Sequence, residues 1–218
     1  MNSKKMNKNL EIRNFSIEFR ADKESRLICG LAIPVDARSF LLGDFYEVVT
    51  RAALTDETIT SNDIKLYLDH DPSHGTFARS KFGAGSLKSN LTERGLEFSF
   101  NAPNTVFGDA LLEGIARGDY DAVSFAFIVK DQHWDDNGDG TYTRSILSFD
   151  VIDEISILSQ MQAYPQTSVA KRSLESYKEE VRAKEEAEKQ AQVESLKKIA
   201  EIEDDFNDLY KNFLDTAY

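Results

Sequence analysis

Apolar residues recur at two different periods along this chain, and the change between them divides it. Phe15, Ile17 and Phe19 alternate with polar neighbours, and residues 27–33, 64–68, 96–100, 122–129, 142–149 and 152–158 are short runs rich in β-branched and aromatic side chains. Alternation and short apolar runs predict strands. Strands at this spacing predict a barrel or a strongly curved sheet. Two stretches carry the helical period instead. Residues 51–58 predict a short helix. Residues 105–117 place Phe107, Leu111, Leu112 and Ile115 on one face, with Asn104 or Thr105 as N-cap and Gly118 as stop. A leader over residues 1–11 is thus expected to precede an α+β body, β-dominant, over residues 12–168.

After Pro165 the pattern changes. Residues 171–218 contain neither Gly nor Pro, and they set Glu180 before Lys184, Glu185 before Lys189 and Glu194 before Lys198. That spacing and order of charges support a helix. Ile199, Ile202, Phe206, Leu209 and Phe213 then step by alternating threes and fours, the a/d stripe of a helix with an apolar seam. A charged helical tail over residues 169–218 is expected, serving as a dimer seam, a docking helix, a self-cleaved segment or a helix laid on the body.

Composition sharpens this division. A chain of 218 residues accommodates one domain and an appendage. An apolar share of 41% with 14 Phe and 8 Tyr supplies a core, while the 29% charged share and a mean hydropathy of -0.44 place a polar excess in the tail. The net charge of -12 would repel phosphate, which excludes a nucleic-acid-binding body and favours basic partners. The single cysteine, Cys29, excludes an internal disulfide framework and a four-cysteine metal site, and its apolar neighbours mark it as core. The basic start Met1-Asn2-Ser3-Lys4-Lys5 lacks an apolar run after it, and no stretch approaches the roughly 18 apolar residues of a membrane span. A soluble, cytosolic protein is expected.

Only three histidines are available for base chemistry at neutral pH. His70 follows the apolar run 64–68 in Asp69-His70-Asp71-Pro72, where a strand opens into a loop, a position that both fixes and exposes a side chain. His74 and His133 read as solvated loop residues. Ser124 lies in Asp121-Ala122-Val123-Ser124-Phe125-Ala126-Phe127, on the strand face opposite Val123, Phe125 and Phe127. Taken alone it is a small residue facing away from the core. A serine becomes a nucleophile when an imidazole removes its proton and a third polar group orients that imidazole. Asp150, Asp153 and Glu154 are the acidic candidates, and the pattern does not choose among them. No G-x-S-x-G elbow is present, which disfavours an α/β-hydrolase. Asp135-Asp136-Asn137-Gly138-Asp139-Gly140 matches the first half of a calcium loop, but Ile146 stands where the closing Glu belongs, so a β-hairpin turn is the expectation and a calcium-responsive module the minor reading.

The order of these pieces resembles the tailed-phage prohead maturation proteases, relatives of the herpesvirus assembly protease. The resemblance covers residues 12–168. It is carried by the early strand with Gly30, Gly43-Asp44-Phe45-Tyr46-Glu47-Val48-Val49-Thr50-Arg51-Ala52-Ala53-Leu54 and Leu68-Asp69-His70-Asp71. It continues in Arg94-Gly95-Leu96-Glu97-Phe98, the helix ending at Gly118, Val123-Ser124-Phe125-Ala126-Phe127 and Asp153-Glu154-Ile155-Ser156-Ile157-Leu158. It implies a herpesvirus-protease-like curved sheet or β-barrel with surrounding helices. It also implies a serine endopeptidase with Ser124 as nucleophile, His70 as base and Glu154, or failing it Asp153, as third member. Ala126, Asp69 and the neighbours of Arg79 depart from the family pattern, and Arg79 and backbone amides are the oxyanion candidates. The implied substrates are scaffold and capsid proteins inside an immature capsid in the host cytoplasm, with self-cleavage, no metal and no organic cofactor, and dimerisation through the tail. The competing expectation is a non-catalytic assembly or scaffolding protein of the same fold.

Overall fold

The structure is a computed structural model that describes residues 9–17, 19–160 and 167–216, excluding the side chains of residues 201 and 203–216. The described elements run β1 (Glu11–Ser16), β2 (Arg20–Asp22), β3 (Leu27–Pro34), β4 (Phe45–Val49), α1 (Asp56–Thr60), β5 (Asp63–Leu68), β6 (Ala78–Lys81) and β7 (Ala84–Gly85). They continue as β8 (Lys88–Thr92), β9 (Gly95–Asn101), α2 (Val106–Arg117), β10 (Ala122–Asp136), β11 (Tyr142–Leu158) and α3 (Ser168–Thr216). The fold is mixed α+β, dominated by strands, with a C-terminal helix.

Local chemistry explains where the helices start. Thr105 caps α2 by accepting from the Gly108 N–H at 3.1 Å, and Gly118 ends it in the left-handed conformation. The face carrying Leu111, Leu112 and Ile115 is buried. The helix expected over residues 51–58 is broken in two. Arg51–Ala53 forms a 3-10 turn and Leu54 is extended. Thr55 then captures the Thr58 N–H at 3.1 Å, so α1 starts afresh from its own capping box.

Two open sheets replace the closed barrel that strand spacing suggested. The larger follows the order β1-β10-β11-β5-β6-β7, with β4 also pairing β11, and the smaller follows β2-β3-β9-β8. Closure fails because β3 and β9 pair with each other and with β2 and β8, so among the described residues no strand joins β1 to β7. The runs 142–149 and 152–158 are one strand, β11, which forms a long hairpin with β10 interrupted by register shifts between Ala126 and Gln132. Such shifts bend a strand without ending it. β4 and β5 lie parallel to successive stretches of β11, Phe45 to Val49 against Tyr142 to Ile146 and Lys65 to Leu68 against Glu154 to Ile157. The core between the sheets includes Ile28, Ile33, Ile64, Leu66, Phe98, Phe100, Phe127 and Ile155.

One polar cluster is buried with them. Glu11, the last residue of the expected leader, opens β1 and is buried, and residues 1–8 of that leader lie outside the described residues. Arg13 bonds Glu11 at 2.7 Å and Glu47 at 2.8 Å, and Arg144 bonds both carboxylates at 2.8 Å. The cluster fastens β1 to β4 and β11, and β1 is the strand that pairs directly with Ser124's strand.

The chain divides after Lys171 into two units. In the second, Glu194 and Lys198 pair at 2.9 Å, and Val193, Leu196, Ile199 and Ile202 are exposed. The rest of the expected stripe, Phe206, Leu209 and Phe213, lies outside the described side chains. Among the described residues no helix is long and apolar enough to cross a membrane.

Candidate active site

Three adjacent strands bring the sequence candidates together. β10 and β11 are antiparallel with Ser124 opposite Ser156, and β11 and β5 are parallel with Ile157 beside Leu68. Residues directly opposite across a ladder share a face, as do residues two apart on one strand. Ser124, Ser156 and Glu154 therefore project to one side, away from Val123, Phe125 and Phe127. The turn that follows Leu68 puts His70 on the same side.

That turn is tight. The Asp71 N–H donates to the Leu68 carbonyl at 2.9 Å, with Asp69 and His70 at φ +52° and +59° between them. Asp71 then accepts from the Ser73 hydroxyl at 2.7 Å and the Ser73 N–H at 2.8 Å, and these bonds hold its carboxyl below the usual range. They also start the 3-10 turn Pro72–His74, so the chain leaves the site in a fixed direction.

His70 spans the gap between serine and glutamate. Its Nε2 lies 2.8 Å from Ser124 Oγ, and its Nδ1 hydrogen-bonds Glu154 Oε1. With Nδ1–H donating to the carboxylate, Nε2 is left as the acceptor that a serine proton needs. Ser156 supports both neighbours: its hydroxyl accepts from the His70 N–H and donates to Glu154 Oε1, each at 3.3 Å. Ser124 Oγ also lies 2.9 Å from the Arg13 carbonyl on β1. A hydroxyl has one proton, so this carbonyl and His70 compete for it.

The other acidic candidates are not part of this relay. Asp153 reaches Lys65 Nζ at 3.4 Å, and Asp150 is exposed. Arg79 is engaged by Asp63, through Nε at 2.6 Å and through a second nitrogen. His74 packs at a tilt against Phe107 with ring centroids 5.0 Å apart, and His133 pairs with Asp135 at 3.2 Å on the surface. Asp136 and Asp139 spend carboxylate oxygens on Gly138 N–H, Thr141 N–H and the Thr141 hydroxyl, as turn residues of the β10–β11 hairpin do. Cys29 is half-buried on β3, with Sγ 3.7 Å from the Arg20 carbonyl.

The profile of the caudovirus prohead serine proteases matches residues 10–180, most of the chain. The chain belongs to this family. Among solved structures it is similar to the bacteriophage T4 capsid assembly protease, gp21, at 11% identity over 69% of this chain and 97% of that one, with a TM-score of 0.44. No curated protein matches it. For a member of a serine protease family, a hydroxyl, an imidazole and a carboxylate in hydrogen-bonded sequence is the arrangement to account for. Sequence reading did not single out Ser156. Its place two residues from Glu154 on one strand was the available signal.

Proposed function

We propose that this prohead protease is an endopeptidase acting on scaffold and capsid proteins within the immature capsid, and on itself, through an acyl-enzyme on Ser124. The supporting observation is the hydrogen-bonded series Ser124, His70, Glu154, drawn from β10, the end of β5 and β11. His70 Nε2 takes the Ser124 proton as Oγ attacks a peptide carbonyl, and Glu154 holds the imidazole by Nδ1–H and stabilises its cationic form. The same imidazole returns the proton to the leaving amine, and water then releases the acyl group. With Arg79 held by Asp63, backbone N–H groups are the oxyanion donors that this reading assigns. Ser124 presents no surface to solvent, so a substrate carbonyl reaches it only after the elements around it move apart.

The test is intact mass spectrometry of wild type, Ser124→Ala and His70→Ala, each incubated with the scaffold and capsid proteins of the same virus. Fragments from wild type alone are the expected result. Intact substrates in all three samples, in assembled shells as well as in solution, would favour a non-catalytic assembly protein whose exposed apolar residues on α3 make its contacts.

A further inference from the structure

We infer that Asp69 is a positioning residue for His70, its carboxylate clamping the two-residue turn that carries the imidazole onto Ser159 at the end of β11. This rests on the reading of Ser124, His70 and Glu154 as the catalytic relay.

Two consecutive side-chain-bearing residues in the left-handed region are strained, and such strain persists where the surroundings over-determine it. Several bonds hold this turn. Asp71 N–H to Leu68 O closes it, and Asp69 N–H to Ile157 O, at 2.9 Å, extends the β5–β11 ladder one residue beyond Leu68. Both are backbone bonds and do not use the Asp69 side chain. The Asp69 side chain adds two more: Oδ1 accepts from the Ser159 N–H at 2.8 Å and Oδ2 from the Ser159 hydroxyl at 2.6 Å. Bonds of this kind, with an ionised acceptor and two donors from one residue, fix direction as well as distance.

What the clamp fixes is a frame of reference. Ser159 follows Leu158, the residue paired with Ala122 on β10. The clamp therefore ties the His70 turn to the strand that carries Glu154 and that aligns Ser124. Asp69 sits immediately before the base, so a rotation of the peptide between them swings the ring away from both partners. Asp69 and Ser159 are both exposed, so the pair contributes little to the core and a purely stabilising role explains it poorly.

The test separates the clamp from the backbone conformation. Asp69→Gly accepts a positive φ without strain but removes the clamp, whereas Asp69→Asn tolerates the conformation and keeps one acceptor oxygen. Each full-length variant is treated with a fluorophosphonate probe to give the limiting rate of Ser124 labelling and the half-saturating concentration. The His70 Nδ1 proton is followed in parallel by NMR. Asp69→Gly is expected to lower the limiting rate by about tenfold to a hundredfold at unchanged half-saturation, the loss typical of a small displacement of a reacting group. Its Nδ1 proton resonance is expected to broaden or vanish. Asp69→Asn should recover most of the rate and the resonance, and both variants should melt within about 4 °C of wild type. Wild-type rate and resonance in Asp69→Gly would overturn the inference, as would equal losses in both variants that track a lowered melting temperature. If wild type itself were not labelled at Ser124, in assembled shells as well as in solution, the protease reading would fail, and the Nδ1 resonance alone would decide the clamp.

Discussion

Replacing Ser124 with Ala is expected to reduce peptide-bond cleavage by roughly 10⁶-fold in kcat, and replacing His70 with Ala to cost about the same. The double variant should be hardly worse than either single one. The non-additivity follows from the proposed mechanism: Ser124 Oγ and His70 Nε2 are 2.8 Å apart and would act in one step together, so removing either group would leave the other nothing to do. Glu154→Gln should cost about 10⁴-fold, less than the loss of nucleophile or base. The mechanism is specific. An amide at this position can present its N–H₂ to His70 Nδ1, which favours the tautomer with the proton on Nε2, where it cannot accept from Ser124. Single-turnover cleavage of a peptide taken from a cleavage site mapped by mass spectrometry would measure these four variants together with Asp153→Asn. Comparable losses for Asp153→Asn, with none for Glu154→Gln, would transfer the third role to a residue that instead reaches Lys65.

The site was more legible in the sequence than the scaffold that supports it. Ser124 opposite Phe125 and Phe127 and His70 at the end of an apolar run are local patterns, and the α2 cap at Thr105 and stop at Gly118 are equally local. The residue pattern alone leaves Glu154, Asp153 and Asp150 open, and Glu154 comes from the family resemblance; deriving it physically requires the register. One strand alternates faces, so only the pairing of β11 with both β10 and β5 decides which acidic residue meets His70. Parallel pairing of β4 and β5 with β11 joins residues far apart in the chain, and no turn residue announces it. Barrel closure was expected from strand spacing alone, but spacing does not say that β3 and β9 will take each other as partners. The charged cluster did leave a trace. Glu11 and Arg13 alternate with Phe15 on one face of β1, and Glu47 lies between Phe45 and Val49 on one face of β4. Charges at apolar positions of a strand signal burial, but matching them across the chain needs the fold.

That cluster yields the largest expected effect on stability. Arg144→Met should lower the free energy of unfolding by about 3–5 kcal/mol, because it leaves Glu11 and Glu47 buried with Arg13 as their remaining cation in the cluster. Replacing all four ionic residues with apolar ones of similar volume should cost far less, since the desolvation of the charges disappears along with their attraction. The pH dependence identifies the cause. In the native protein burial pushes the Glu47 carboxyl up, but Arg13 and Arg144 together outweigh it, and the net shift is downward from 4.5. A carboxyl lowered in the folded state contributes stability that is present above its unfolded value and is lost as the pH falls through the folded one. In Arg144→Met part of that counter-charge is gone while Arg13 remains, so burial weighs more heavily against the ionised Glu47 and the stability that its ionisation contributes shrinks. The gap between variant and wild type should thus be widest near pH 7 and shrink toward pH 4, as measured by urea unfolding. A gap that stays constant with pH would mean that Arg144 acts through packing against Trp134, whose ring its guanidinium overlies at 5.8 Å, rather than through charge. Because the cluster holds β1 and the β1 carbonyl of Arg13 accepts from Ser124, a charge-driven loss should also appear as faster probe labelling of Ser124 before global unfolding begins.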